Sequence, residues 1–159
     1  MTKKQTFRLV FSLFTLVCLA FIWGNSMVPG AESGEISEPI TEWINSVVQK
    51  VFPSVEISHL FVRKAAHFIE FSILGALAAA NWVLWFPEKR RVKILAMIPC
   101  CFLVALADEI IQSFFEGRAS SFLDVLLDTS GSTVAVLIFL CVMLKRDASK
   151  KRSEVDLNT

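Results

Sequence analysis

The chain has 159 residues, of which 54% are hydrophobic, with sixteen basic against fifteen acidic side chains, a net charge of +1 and a mean hydropathy of +0.57. That balance is too apolar for an ordinary soluble domain. Cys18, Cys100, Cys101 and Cys141 all fall inside apolar stretches, which argues against a disulfide framework or a zinc knuckle and for small packing residues.

A spanning helix needs about 20 mostly apolar residues. Four segments qualify: 7–28, 59–86, 92–115 and 122–144. The expected fold class is therefore all-α, a polytopic membrane protein with four transmembrane helices in a single domain over 1–159. In the first segment, Lys3, Lys4 and Arg8 precede an apolar run in the manner of a signal peptide. No small-x-small cleavage site follows Trp23, and Trp23 suits an interfacial anchor, so the segment reads as a retained helix.

Residues 30–34 read as a loop, with Ser37 as an N-cap and Glu38 and Pro39 in the first turn of a helix. Ile40, Trp43, Ile44, Val47, Val48 and Val51 then recur at helical spacing, opposite Glu42, Asn45 and Gln49. The pattern predicts a short amphipathic helix over about 38–52, ending before Pro53, which lies on the outer membrane surface or caps the bundle there. In the second span Arg63, His67, Glu70, Leu74, Leu77 and Asn81 share one face, and ionisable groups in a span seldom point at lipid. Trp82, Trp85 and Phe86 read as belt anchors, Pro99 as a kink, and Gly75 with Ala79 and Gly131 with Ala135 as sites of close helix approach.

The stretch DEIIQSFFEGRASSFLDVLLDTSG, 108–131, places five carboxylates, a Gln and an Arg between two uncharged runs. Twelve basic residues lie before the first span, at the second connection and after the fourth span, whereas the opposite side carries Lys50, Arg63, Lys64 and Arg118. The positive-inside rule then puts both termini in the cytoplasm and 108–131 toward the outside. The basic tail, 145–159, serves as a stop-transfer signal and an anionic-lipid contact, and nucleic-acid binding has no aromatic or fold support. At about 1.5 Å per residue, Glu70, Asp108 and Asp128 sit at a similar depth, roughly 21 to 26 Å from the cytoplasmic boundary. His67, Gln112 and Asp124 lie one turn further out, and Arg63, Lys64 and Arg118 form a basic rim. Glu70, Asp108, Glu109, Asp124 and Asp128 outnumber those three cations, an excess that calls for protonated carboxyls, a bound divalent cation or water. The residues do not choose among these, and no resident cofactor is otherwise expected.

Arg63-Lys64-x-x-His67-x-x-Glu70, Asp108-Glu109-x-x-Gln112, Gly117-Arg118 and Asp124-x-x-x-Asp128-Thr-Ser-Gly131, in that order, resemble the VanZ-like family of bacterial membrane proteins. Phe71, Glu116 and Asp128 depart from the family pattern, where Tyr, Pro and Asn respectively are usual. The resemblance implies a multi-pass protein of the bacterial plasma membrane associated with tolerance of teicoplanin, a glycopeptide acting on cell-wall precursors outside the membrane. Besides membrane lipids, a lipid-linked cell-wall precursor or a lipoglycopeptide is then the expected partner.

Three roles are open to the pocket. Arg63, Lys64 and Arg118 can hold the phosphate or carboxylate of an envelope ligand while the acidic groups bind its hydroxyls or amines. His67, Glu70, Asp108 and Glu109 are candidate catalytic groups for acid/base work or metal ligation in an enzyme modifying a lipid headgroup. The cluster can also be an ion-pair scaffold that fixes helix register. Ion transport has no continuing relay beyond Asn81.

Overall fold

Thr2 starts the first helix: its hydroxyl accepts from the Gln5 amide at 3.3 Å while the Gln5 side chain accepts from the Thr2 amide at 2.9 Å. The computed structural model describes residues 2–87 and 93–156, and among them every regular element is helical. The elements are α1 (Lys3–Ser26), α2 (Gly30–Val48), α3 (His59–Trp85), a 3-10 turn (Ile94–Ala96), α4 (Met97–Gln112) and α5 (Phe122–Asp156). Four stretches are long and apolar enough to cross a membrane, Lys3–Ser26, His59–Trp85, Ile94–Gln112 and Phe122–Lys150, in the expected order, the third stopping at Gln112 short of the expected 115 and the fourth running past the expected 144.

The tightest packing joins α3 to α5, and glycine is what permits it. A Cβ on Gly75 would lie 2.6 Å from the Ser132 carbonyl oxygen, and one on Gly131 would lie 2.5 Å from that of Phe68. Without a hydrophobic force between helices in lipid, such backbone proximity supplies the dispersion contact that holds them. Ile22, Phe71, Leu74, Ala105 and Val125 form one buried cluster, and Ala79, Ile94 and Val136 form a second toward the other end. Most large apolar side chains of α1 remain exposed, Val10, Leu13, Phe14 and Phe21 among them, as a lipid-facing helix requires.

α1 is fastened to the end of α3 by polar contacts. The Asn81 amide donates to Thr15 Oγ1 at 2.5 Å, its carbonyl accepts from Ser12 Oγ at 2.8 Å, and Trp85 Nε1 donates to Ser12 Oγ at 3.0 Å. Arg8 stacks over the Trp85 ring, 5.5 Å from its centre, and Trp82 meets Phe86 at 4.5 Å. Ala79, Trp82, Met97, Val136 and Met143 pack together near this end, so the start of α1, the end of α3, the start of α4 and the C-terminal half of α5 gather there.

Three local expectations are corrected. Residues 30–34 belong to α2, which begins after Pro29; Ser37 lies inside the helix with its hydroxyl donating to the Gly34 carbonyl at 3.0 Å, and Pro39 is also internal. The helix start is pinned from outside, because the Gly30 amide donates to the Glu116 carbonyl at 2.9 Å and a Cβ on Gly30 would collide with the Gly117 backbone. The same helix stops at Val48 rather than near residue 52, since Asn45 turns back to hold Ile57, donating to its carbonyl at 3.0 Å and accepting from its amide at 2.8 Å. Pro99 falls in the first turn of α4, where its missing N–H costs no helical bond; the irregularity expected there is the 3-10 turn just before it. Part of the second connection, 88–92, lies outside the described residues.

Candidate functional site

Asp108 is the buried centre of the polar end. It projects from α4 with 0% exposure, and both of its oxygens are bonded: Ser26 Oγ donates to Oδ1 at 2.7 Å and Gln112 Nε2 donates to Oδ2 at 2.8 Å. Residues 108 and 112 meet because four positions make one helical turn. Ser26 arrives from the last turn of α1, which ends beside α4.

His67 of α3 stands between Asp108 and Asp128 of α5. Its Nδ1 is 4.0 Å from Asp108 Oδ2 and 3.9 Å from Asp128 Oδ2, and it has no hydrogen-bond partner. Asp128 is 1% exposed, and its Oδ1 is also without a partner. Beside them is room for about 10 Å³, lined by Arg63, Lys64, His67, Glu109, Gln112 and Asp128 among others. His67, Asp108 and Asp128 each offer a ligand atom, all within 4.8 Å of one another.

The remaining predicted residues take separate partners. Lys64 pairs with Asp124, and Glu109 Oε2 accepts from the Ser121 amide at 2.8 Å, which ties α4 to the start of α5. Glu70 turns toward α1 and accepts from Asn25 Nδ2 at 3.2 Å. Arg118, expected on a rim, is built into the bundle: Nε donates to the Val28 carbonyl at 2.9 Å and Nη2 to the Asn25 carbonyl at 2.8 Å, capping the end of α1. Gly117, at φ +74°, makes the reversal that presents Arg118, a conformation glycine adopts without strain. Burial, then the like charge of Arg63, lowers the Arg118 pKa from its ordinary value. Its Nη1 is buried with no acceptor.

A groove of about 310 Å³ opens between α1, α2 and α3. Phe21, Ile36 and Ile40 make its apolar wall, and Arg63, Glu70 and Arg118 its polar end, with His67 reaching both groove and cavity. Arg63 is half-buried and makes no hydrogen bond or ion pair among the described residues.

Arg63, His67, Glu70, Asp108, Gln112 and Asp128 lie together at one end of the bundle, and Asn25, Ser26 and Ser121 join them as partners that the sequence did not announce. The signal for the first two was a polar pair closing an otherwise apolar α1; Ser121 contributes through its backbone and left none. Among known proteins, the family model described as VanZ/LLP1 matches residues 11–144. No curated protein and no solved structure matches the chain.

Proposed function

Because the chain belongs to the VanZ-like family of multi-pass membrane proteins, we propose that it binds an anionic amphiphile of the bacterial cell envelope, a lipid-linked wall precursor or a lipoglycopeptide, and thereby contributes to teicoplanin tolerance. The supporting observation is the pair of open guanidinium donors on one groove: Arg63, with no bonded partner among the described residues, and Arg118 Nη1, buried without an acceptor. A phosphate or carboxylate satisfies both, and guanidinium is suited to bidentate contact with either. Phe21, Ile36 and Ile40 along the same groove suit the adjoining apolar part of such a ligand. With both termini in the cytoplasm, as the positive-inside rule predicts, the groove would open outside the bacterial plasma membrane, where the wall precursors are.

The test is binding by the purified protein in lipid nanodiscs to lipid-linked wall precursors, beside teicoplanin susceptibility of a sensitive host expressing it. Arg63→Gln is expected to weaken binding at least tenfold, about 1.4 kcal/mol, and to abolish protection at normal membrane levels. Arg63→Lys should fall between, since it keeps the charge and loses the fork. An unaltered protein that neither binds nor protects overturns the proposal.

A second role, an enzyme acting on a lipid-linked headgroup, is favoured by one observation: His67 Nδ1 stands open between two carboxylates. A new lipid species of altered mass, produced by the unaltered protein and lost in Glu109→Gln or His67→Gln, would replace the binding role with catalysis.

A further inference from the structure

We infer that His67, Asp108 and Asp128 form a site for one divalent transition-metal ion of nitrogen and oxygen preference, Mn²⁺ or Zn²⁺. The three residues come from α3, α4 and α5, so the ion would join three helices at one point. Two carboxylates this deeply buried call for positive charge; Lys64 is paired with Asp124, Arg118 holds the carbonyls that end α1, and Arg63, which lines the adjoining cavity, makes no ion pair with either carboxylate among the described residues. A neutral imidazole adds no charge, so a dication would balance the pair with both carboxylates ionised.

A separate observation points the same way. Asp128 is 1% exposed and keeps an oxygen without a partner, and His67 Nδ1, aimed between the two carboxylates at 3.9 and 4.0 Å, is open as well. Those spacings are too long for hydrogen bonds and slightly long for ligands already on an ion. Metal bonds of about 2.1 Å set neighbouring ligand atoms about 3 to 3.4 Å apart, so side-chain movements of less than about 1 Å close the site. One imidazole and two carboxylates suit Mn²⁺ or Zn²⁺ rather than a soft ion, and no cysteine joins the group among the described residues. Ser26 and Gln112, which donate to Asp108, would orient that ligand as outer partners do. The adjoining room of about 10 Å³ suits a water in an open position.

The test uses the metal alone and no envelope ligand, so its result is independent of the binding role above. Full-length protein in nanodiscs is stripped with chelator, dialysed against Mn²⁺ and assayed for bound metal, with Zn²⁺ as competitor. One Mn²⁺ per chain is expected, displaced by Zn²⁺, with electron-spin-echo coupling to an imidazole nitrogen. The chain has two histidines. His59→Gln should therefore keep the coupling, whereas His67→Gln should remove it, and His67→Gln and Asp128→Asn should each lower affinity at least tenfold. If those two variants fail to fold, the coupling in His59→Gln still decides, because His67 is then the sole imidazole. No stoichiometric ion in the unaltered protein, no nitrogen coupling in His59→Gln, or folded His67→Gln and Asp128→Asn chains with unchanged affinity would each overturn the site.

Discussion

Asp108 and Asp128 are both removed from solvent, yet the first has both oxygens bonded and the second has one bare, and this difference separates what holds the site from what the site can do. The Ser26 hydroxyl is on the holding side. Ser26→Ala would leave a fully buried carboxylate oxygen short of its donor, at a cost of about 1 to 3 kcal/mol. Melting of the purified protein in detergent should show a drop of several degrees, while Ser46→Ala, whose exposed hydroxyl donates to the Trp43 carbonyl, should change little. Equal melting temperatures for the two variants would show that Asp108 finds another donor. The carboxylates were legible in the sequence because a charge in an apolar run has few explanations. Asn25 and Ser26 were not, since uncharged polar residues at a helix end are ordinary, and their partners lie more than forty residues away in sequence.

At the scale of elements, the α3–α5 contact rests on two glycines whose added Cβ atoms would meet backbone, so neighbouring side chains cannot give way. Gly75→Ala and Gly131→Ala are each expected to destabilise the protein by roughly 1 to 3 kcal/mol. Gly34→Ala, with nothing within 4 Å of the new methyl group, should instead stabilise α2 by about 0.5 to 1 kcal/mol. The same melting measurement checks all three, and a neutral Gly131→Ala would mean that the helices are free to separate. The small-x-x-x-small spacing announced this contact, and long apolar runs announced the spans. What the sequence withheld was the start of α2, which is set by the Glu116 carbonyl and the Gly117 backbone rather than by Ser37. A cap preference of about 1 kcal/mol yields to such a tertiary clasp. Helix α5 likewise continues through its polar end to Asp156, beyond the apolar run that marked the span.

Across the whole molecule, the bundle has two unlike ends. One gathers Arg8, Trp85 and the start of α4, followed on α5 by Lys145 and Arg146; the other gathers the acidic cluster, the groove and α2. Convergence of three helices on one polar end could be read from charges placed at similar depth, whereas which carboxylate meets which partner depends on helix rotation, which no periodicity in this chain specified finely enough. The positive-inside rule predicts the orientation across the membrane from the basic residues, whose translocation costs more than that of the acidic loops. Ser54, in the exposed connection between α2 and α3, and Ser149, exposed near the end of α5, therefore belong to opposite compartments. With cysteine placed at either position, a membrane-impermeant maleimide on intact cells is expected to label Ser54→Cys at once and Ser149→Cys after the membrane is opened. The native thiols lie in spans, where a polar reagent reacts poorly, and the unsubstituted chain measures that background. The reverse pattern would turn the groove toward the cytoplasm, and an external wall precursor could then not reach Arg63.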